Sequence, residues 1–152
     1  GKLVYSEGLL VGYRGYDRSG TDPLFGFGHG LGYTQWEYES IEAAATSIGS
    51  GDDLDLLVKL RNRGARAGRE VVQVYLEGPD DDPSRPVRIL AGFANVAAEP
   101  GAQVTARLSV PSRAFARYDE GLGRWDAEPG AYTIRAGRSS RDLRVSVEVV
   151  MR

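Results

Sequence analysis

The chain has 152 residues, a net charge of −2, one histidine and no cysteine; 41% of it is hydrophobic and 26% charged. That length fits one domain with some extra at an end, and the charge balance argues against a nucleic-acid partner, which needs a clustered basic surface. Without cysteine there is no disulfide framework and no thiolate site, and no apolar stretch approaches the ~20 residues that span a bilayer.

The positive charge is almost all arginine, with lysine only at Lys2 and Lys59. Heavy use of Arg, Gly and Ala fits a GC-rich genome better than a binding surface. The chain opens at Gly1-Lys2 with neither an initiator methionine nor a signal peptide. We expect it to be a piece of a longer chain, so a missing leader says nothing about the compartment.

Residues 1 to about 22 read as a tail. Gly8, Gly12 and Gly15 fall at helical spacing and would line one face if the stretch coiled. Each glycine costs a helix about 1 kcal/mol, so the tail is expected to lack order by itself. Residues 23 to about 35 form a connector, Pro23-Leu24-Phe25-Gly26-Phe27-Gly28-His29-Gly30-Leu31-Gly32-Tyr33-Thr34. Glycine between large apolar residues suits neither helix nor regular strand. It suits an extended strap pressed on a neighbouring surface, here expected to come from a partner domain outside this chain.

From residue 36 the period is two. Trp36 and Tyr38 point inward with Glu37 and Glu39 outside. Leu54, Leu56, Val58 and Leu60 oppose Asp55, Lys59 and Arg61, with Leu57 the apolar exception. Val72, Val74 and Leu76 oppose Gln73, Tyr75 and Glu77; residues 89–96 make a weaker strand. Val104, Ala106, Leu108 and Val110 form the next apolar row, then Tyr132, Ile134 and Ala136, then Leu143, Val145, Val147 and Val149. Turn chemistry separates the rows, as at Asn62-Arg63-Gly64 and Glu128-Pro129-Gly130. After residue 40 only a short turn near 112–116 looks helical. About seven one-face-apolar strands predict an all-β, antiparallel immunoglobulin/fibronectin type III-like β-sandwich. Two apolar faces must cover each other, and stacked sheets ~10 Å apart do so. The Cys-Trp-Cys signature is missing, which favours the fibronectin-like version.

The strap, with Tyr5-Ser6-Glu7-Gly8 and the run Val11 to Asp17 before it, resembles the C-terminal part of glycoside hydrolase family 3 enzymes, mostly β-glucosidases. The family version reads roughly P-L-F-P-F-G-x-G-L-S-Y-T. This chain departs from it with Gly26 for proline and Gly32 for serine. Gly68-Arg69-Glu70-Val71-Val72-Gln73-Val74-Tyr75, Leu90-Ala91-Gly92-Phe93, Pro129-Gly130-Ala131-Tyr132 and Gly137-Arg138-Ser139-Ser140-Arg141-Asp142 continue the likeness in the family's order. The resemblance implies that residues 1–35 are the end of a preceding α/β sandwich domain plus the connector, and 36–152 a fibronectin type III-like domain. It implies a parent that hydrolyses terminal β-linked sugars with retention. The family's nucleophile is an aspartate on an N-terminal barrel domain. Its acid/base is commonly a glutamate on the α/β sandwich. Both lie upstream of these residues.

Retaining hydrolysis needs two carboxyl groups ~5–5.5 Å apart. No residue of this chain is assigned as catalytic, cofactor-binding or metal-ligating. Asp80-Asp81-Asp82 offers oxygen ligands suited to a hard cation, but consecutive loop residues seldom converge, and a solvated turn explains them. Glu37 and Glu39 sit about 7 Å apart along one strand face by strand geometry, which a wet outer face explains. His29 could reach toward a substrate pocket in the parent; an interdomain hydrogen bond is the plainer reading. One histidine without cysteine leaves too few soft ligands for zinc.

Sugar binding needs exposed rings. Trp36, Tyr38, Tyr75, Tyr118, Trp125 and Tyr132 are the candidates, with only Tyr75 expected to face outward. The expected partners are the catalytic domains of the parent and, for the parent, a β-glucoside-type substrate, with no cofactor, nucleic acid or membrane. The fragment is expected to be an inactive brace. A carbohydrate- or cell-surface-binding module is the alternative, and an adhesion or pilus sandwich a third reading for which the strap offers no rationale.

Overall fold

The computed structural model describes residues 1–79, 82–83 and 85–152. It is the expected sandwich. Strands β1 (Trp36–Ala43), β3 (Leu54–Asn62) and β6 (Gln103–Val110) make one antiparallel sheet in the order β1-β3-β6. The other runs β2-β10-β9-β4-β5, from β2 (Ser47–Ile48), β4 (Gly68–Glu77), β5 (Ile89–Ala98), β9 (Gly130–Ser139) and β10 (Asp142–Met151). β7 (Ala116–Asp119) and β8 (Arg124–Ala127) form a separate hairpin after a 3-10 turn at Ser112–Phe115.

The alternating apolar rows meet between the sheets. Leu54, Leu56, Val58 and Leu60 face Val72, Val74, Ile134 and Ala136 in one continuous core with Trp36 and Tyr38. The seven-strand reading missed β2, β7 and β8, each too short for period two to register. It also missed that β2 pairs with β10 in parallel.

Asn62 ties the two sheets at one end. Its side chain is fully buried. The Nδ2 group donates to the carbonyls of Arg66 (2.7 Å) and Ala98 (3.0 Å). Its Oδ1 accepts from Gly64 N–H (3.0 Å) and the Thr34 hydroxyl (2.5 Å). The amide thus makes four bonds, the full inventory of two donors and two lone pairs. This turns the Asn-x-Gly corner, holds the end of the strap through Thr34 and reaches the last residue of β5.

The N-terminal segment departs from expectation. Residues Tyr13–Ser19 form helix α1, ended by Gly20 in the left-handed conformation (φ 65°). The three glycines do not share a helical face: Gly8 and Gly12 stand outside it at positive φ. The helix exists because the sandwich supplies what its sequence lacks. Arg18 donates to the carbonyls of Asp82 (2.8 Å) and Arg85 (2.6 Å), and Leu90 N–H donates to the Tyr13 hydroxyl (2.8 Å). Tertiary contacts here outweigh poor propensity.

Asn62→Ala strands two carbonyls, an N–H and a hydroxyl in a buried corner. At about 1 kcal/mol per bond, more where a group stays unsatisfied, the loss should be on the order of 3 kcal/mol, read as a lower urea midpoint at unchanged slope.

Candidate functional site

Carboxyl groups come first, because hydrolysis would need them. Glu37 and Glu39 lie exposed on the outer face of β1, as read. Glu37 pairs with Arg63 (2.5 Å) and Glu39 with Arg61 (2.6 Å). Hydrogen bonds from Gln103 and Arg61 hold the Glu39 carboxyl below its ordinary range. That is the wrong direction for a group that must donate a proton near neutral pH. Of the acidic run, Asp80 and Asp81 lie outside the described residues; the Asp82 carbonyl serves Arg18. Asp52 and Asp53 border an open hollow of about 570 Å³. Each is spent on a turn: Asp52 accepts from Gly49 N–H (3.0 Å) and Asp53 from Ser112 N–H (2.7 Å). Among the described residues no group of three His, Cys, Asp or Glu side chains could hold a metal ion, and no helix is long and apolar enough to cross a membrane.

Glu70 is the acid that sequence reasoning passed over. It points into the sandwich from β4, buried, where alternation asks for an apolar residue. It accepts from the Tyr38 hydroxyl (3.1 Å) and from Arg138 Nε (2.8 Å). Burial raises its pKa, with Arg138 and the Tyr38 bond opposing. A raised carboxyl can mark an active site. Here both neighbours belong to the polar end of the core, and the carboxyl has a structural part. Asp142 goes the other way, held low by its hydrogen bonds from Arg144 (2.7 and 2.9 Å).

The outer face of β4 holds the main correction. Tyr75 does face outward, on the same side as Gln73, yet it is fully buried. The Tyr13 ring packs edge-on against it (6.0 Å between centroids), and Phe27 stacks on Tyr13 (4.9 Å). The Tyr75 hydroxyl donates to Gln73 Oε1 (2.7 Å), and Gln73 Nε2 donates to the carbonyls of Arg138 (2.5 Å) and Gly28 (3.2 Å). Gly28 has φ +80°, and a Cβ there would stand 2.1 Å from Gln73 Oε1, so this position admits only glycine. Part of the strap therefore lies on its own sandwich, where a separate partner surface was expected. Alternation could show which side Tyr75 takes, not what covers that side.

Apart from Thr34, most of the rest of the strap is bare. Leu24, Leu31 and Tyr33 are 90%, 94% and 91% exposed, and Phe25 and the tail's Leu3, Val4 and Tyr5 are mostly exposed too. His29 is exposed and stacks on Phe25 (5.2 Å between centroids). Tyr118 and Trp125, expected in the core, face each other across the β7–β8 hairpin in open solvent (5.6 Å). The Arg113 guanidinium lies 3.8 Å over the Trp125 ring. Trp36, Tyr38 and Tyr132 are buried as expected, the Tyr132 hydroxyl donating to the Glu128 carbonyl (2.9 Å).

Residues 70–140 match the family model of the fibronectin type III-like domain. The sandwich is such a domain, and the sequence around it is similar to one stretch of longer enzymes. It is 41% identical over 142 residues to thermostable β-glucosidase B of Acetivibrio thermocellus, covering 93% of this chain and 19% of that protein. It is 39% identical to a β-glucosidase of Rhizobium radiobacter over 98% of this chain and 18% of that one. Among solved structures, DesR, a β-glucosidase from Streptomyces venezuelae in complex with D-glucose, superposes with a TM-score of 0.87 at 37% identity, over 96% of this chain and 18% of its own. The GH3 β-glucosidase of Bifidobacterium adolescentis does so at 0.88 and 31%, over 97% and 21%. Nearly the whole chain is thus similar to one stretch of longer β-glucosidases, and it spans about a fifth of the length of the relatives it matches.

The Glu70 shift has a measurable sign. A carboxyl whose folded pKa is raised adds stability below its unfolded value, near 4.5, and loses it as pH climbs through the folded value. The stability of wild type minus that of Glu70→Gln should therefore fall as pH is raised above 4.5, as read from urea titrations across pH 4–7.

Proposed function

We propose that this chain is the fibronectin type III-like accessory domain, with its connector, of a family 3 glycoside hydrolase, and that it braces the catalytic domains. On this reading residues 1–35 close a preceding α/β sandwich domain and lead out of it, and 36–152 are the brace. The parent hydrolyses terminal β-linked glucose, or a related sugar, with retention by a double displacement, using carboxyl groups outside this chain.

One observation carries the reading. The strap is anchored at Phe27 and Gly28, yet Leu24, Phe25, Leu31 and Tyr33 on either side stand in solvent. A stable domain seldom leaves so many large apolar groups of one segment uncovered unless a partner covers them. The similar β-glucosidases, five times as long, have chain to supply such a partner. The candidate acids support the same conclusion from chemistry: Glu37 and Glu39 pair with arginines, Asp52 and Asp53 accept from turn N–H groups, and Glu70 is sealed in the core.

The Tyr118–Trp125 pair favours a second reading, a carbohydrate-binding surface, because rings in open solvent stack on the apolar faces of sugars. The geometry is poor for it. The rings stand at 61° rather than in one plane, and Arg113 covers one face of Trp125.

Purified protein should give no turnover of a nitrophenyl β-glucoside; hydrolysis that scales with the 152-residue chain through purification would overturn the bracing role. Titration with soluble β-glucan should leave its tryptophan emission unchanged. A saturable change abolished by Trp125→Ala would favour the sugar surface. In a full-length parent, replacing Leu24 and Phe25 by serine should lower the melting temperature by several degrees, as a loss of a few kcal/mol does in a domain of this size; an unchanged transition would count against bracing.

A further inference from the structure

We propose that the outer face of β4 and β9, with the turn between β9 and β10, is a built-in peptide site, and that its ligand is this chain's own segment 13–28. The proposal concerns this chain alone and stands apart from the glucosidase reading; a failure of either leaves the other in place.

Three kinds of recognition converge there. The first is capture of the segment's backbone carbonyls. Ser140 N–H donates to the Phe27 carbonyl (2.9 Å), Gln73 Nε2 to the Gly28 carbonyl (3.2 Å) and Arg141 to the Thr21 carbonyl (3.0 Å). One of these donors is main chain and two are side chains, and all three hold the segment by its backbone. The second is shape. Tyr13 fills the place over Tyr75, and Phe27 closes over Tyr13. Gly26 lets the backbone lie against Arg141, and Gly28 lets it lie against Gln73.

The third is charge. The Asp17 side chain of α1 is 1% exposed and sits between Arg88 (3.3 Å) and Arg141 (3.4 Å). Neither carboxylate oxygen has an aligned hydrogen bond, so the two ion pairs alone offset its burial. Arg88 reaches this point from beside β5, and Arg141 from the β9–β10 turn. One carboxylate thus joins the segment to two separate parts of the sandwich.

The tether beyond the site is exposed. A Cβ on Gly30 would meet nothing within 4 Å, and Leu31 is exposed. The Gly-x-Ser-Ser-Arg-Asp motif at 137–142, which had no chemical role in the sequence, becomes the receptacle.

Asp17→Asn removes the charge but leaves its arginines other partners. Arg88 keeps Glu77 (3.8 Å) and the Ser140 carbonyl (3.4 Å), and Arg141 keeps the Thr21 carbonyl. The expected loss of affinity is therefore about ten- to a hundredfold rather than total.

The test keeps the whole chain. A protease recognition sequence is inserted between Gly30 and Leu31, the folded protein is cleaved, and the products are run on native gel filtration with mass detection. Both pieces should elute together as a one-to-one particle of the intact chain's mass. The Asp17→Asn and Arg141→Gln versions should release the short piece at about ten- to a hundredfold higher protein concentration, and Leu24→Ser should not. Amide exchange of β3 and β9 shows that each variant is folded. Free elution of the short piece from cleaved wild type at micromolar concentration overturns the site. So does equal retention in both charge variants, and so does a particle of twice the mass, in which the segment has crossed to a second copy.

Discussion

From Val72 to Leu76, strand β4 is buried on both faces, and the molecule is arranged around that fact. Its inner row, Val72, Val74 and Leu76, meets the opposite sheet; its outer pair, Gln73 and Tyr75, meets the N-terminal segment. Gln73 is the hinge of this second interface. Its amide accepts the Tyr75 hydroxyl and donates to backbone of both β9 and the strap. A buried amide with partners missing would be costly, so Gln73 and Gly28 have to sit where they do relative to each other. The outer cover makes this sandwich three layers over part of one sheet.

The polar groups at the ends of the core share one logic. Asn62 satisfies a corner where sheet, turn and strap meet. Glu70, Tyr38 and Arg138 form a paired cluster at the edge of the apolar region. Asn62 and Glu70 take inward or corner positions of β3 and β4, whose other inward residues are Val and Leu. A buried ion pair is weak support for stability compared with apolar packing of the same volume. Here it links β1, β4 and β9 through Tyr38, Glu70 and Arg138.

Function and fold separate cleanly in this chain. Glu37 pairs with Arg63, and Asp52 and Asp53 serve turns; bonds from Gln103 and Arg61 lower the proton affinity of Glu39, and bonds from Arg144 lower that of Asp142. The exposed groups are instead apolar: Leu24, Phe25, Leu31 and Tyr33 around the anchored Phe27-Gly28, and the Tyr118–Trp125 pair on the hairpin.

By itself the sequence determined the sandwich, because alternation over eight to ten residues at Leu54–Asn62, Gln103–Val110 or Asp142–Met151 leaves only one way to bury the apolar side. It also determined the family likeness, since the strap and the 68–75 run are long enough to be specific. What only the tertiary structure decided is which outward faces are wet. Tyr75 alternates as a surface residue and is buried; Trp125 looks like core and is not. Alternation is a local property that assigns a side to each residue, whereas burial depends on what arrives from elsewhere in the chain. Here that is helix α1, brought over β4 by Asp17, Arg18 and Tyr13 through contacts more than sixty residues apart in sequence, where no short-range pattern reaches.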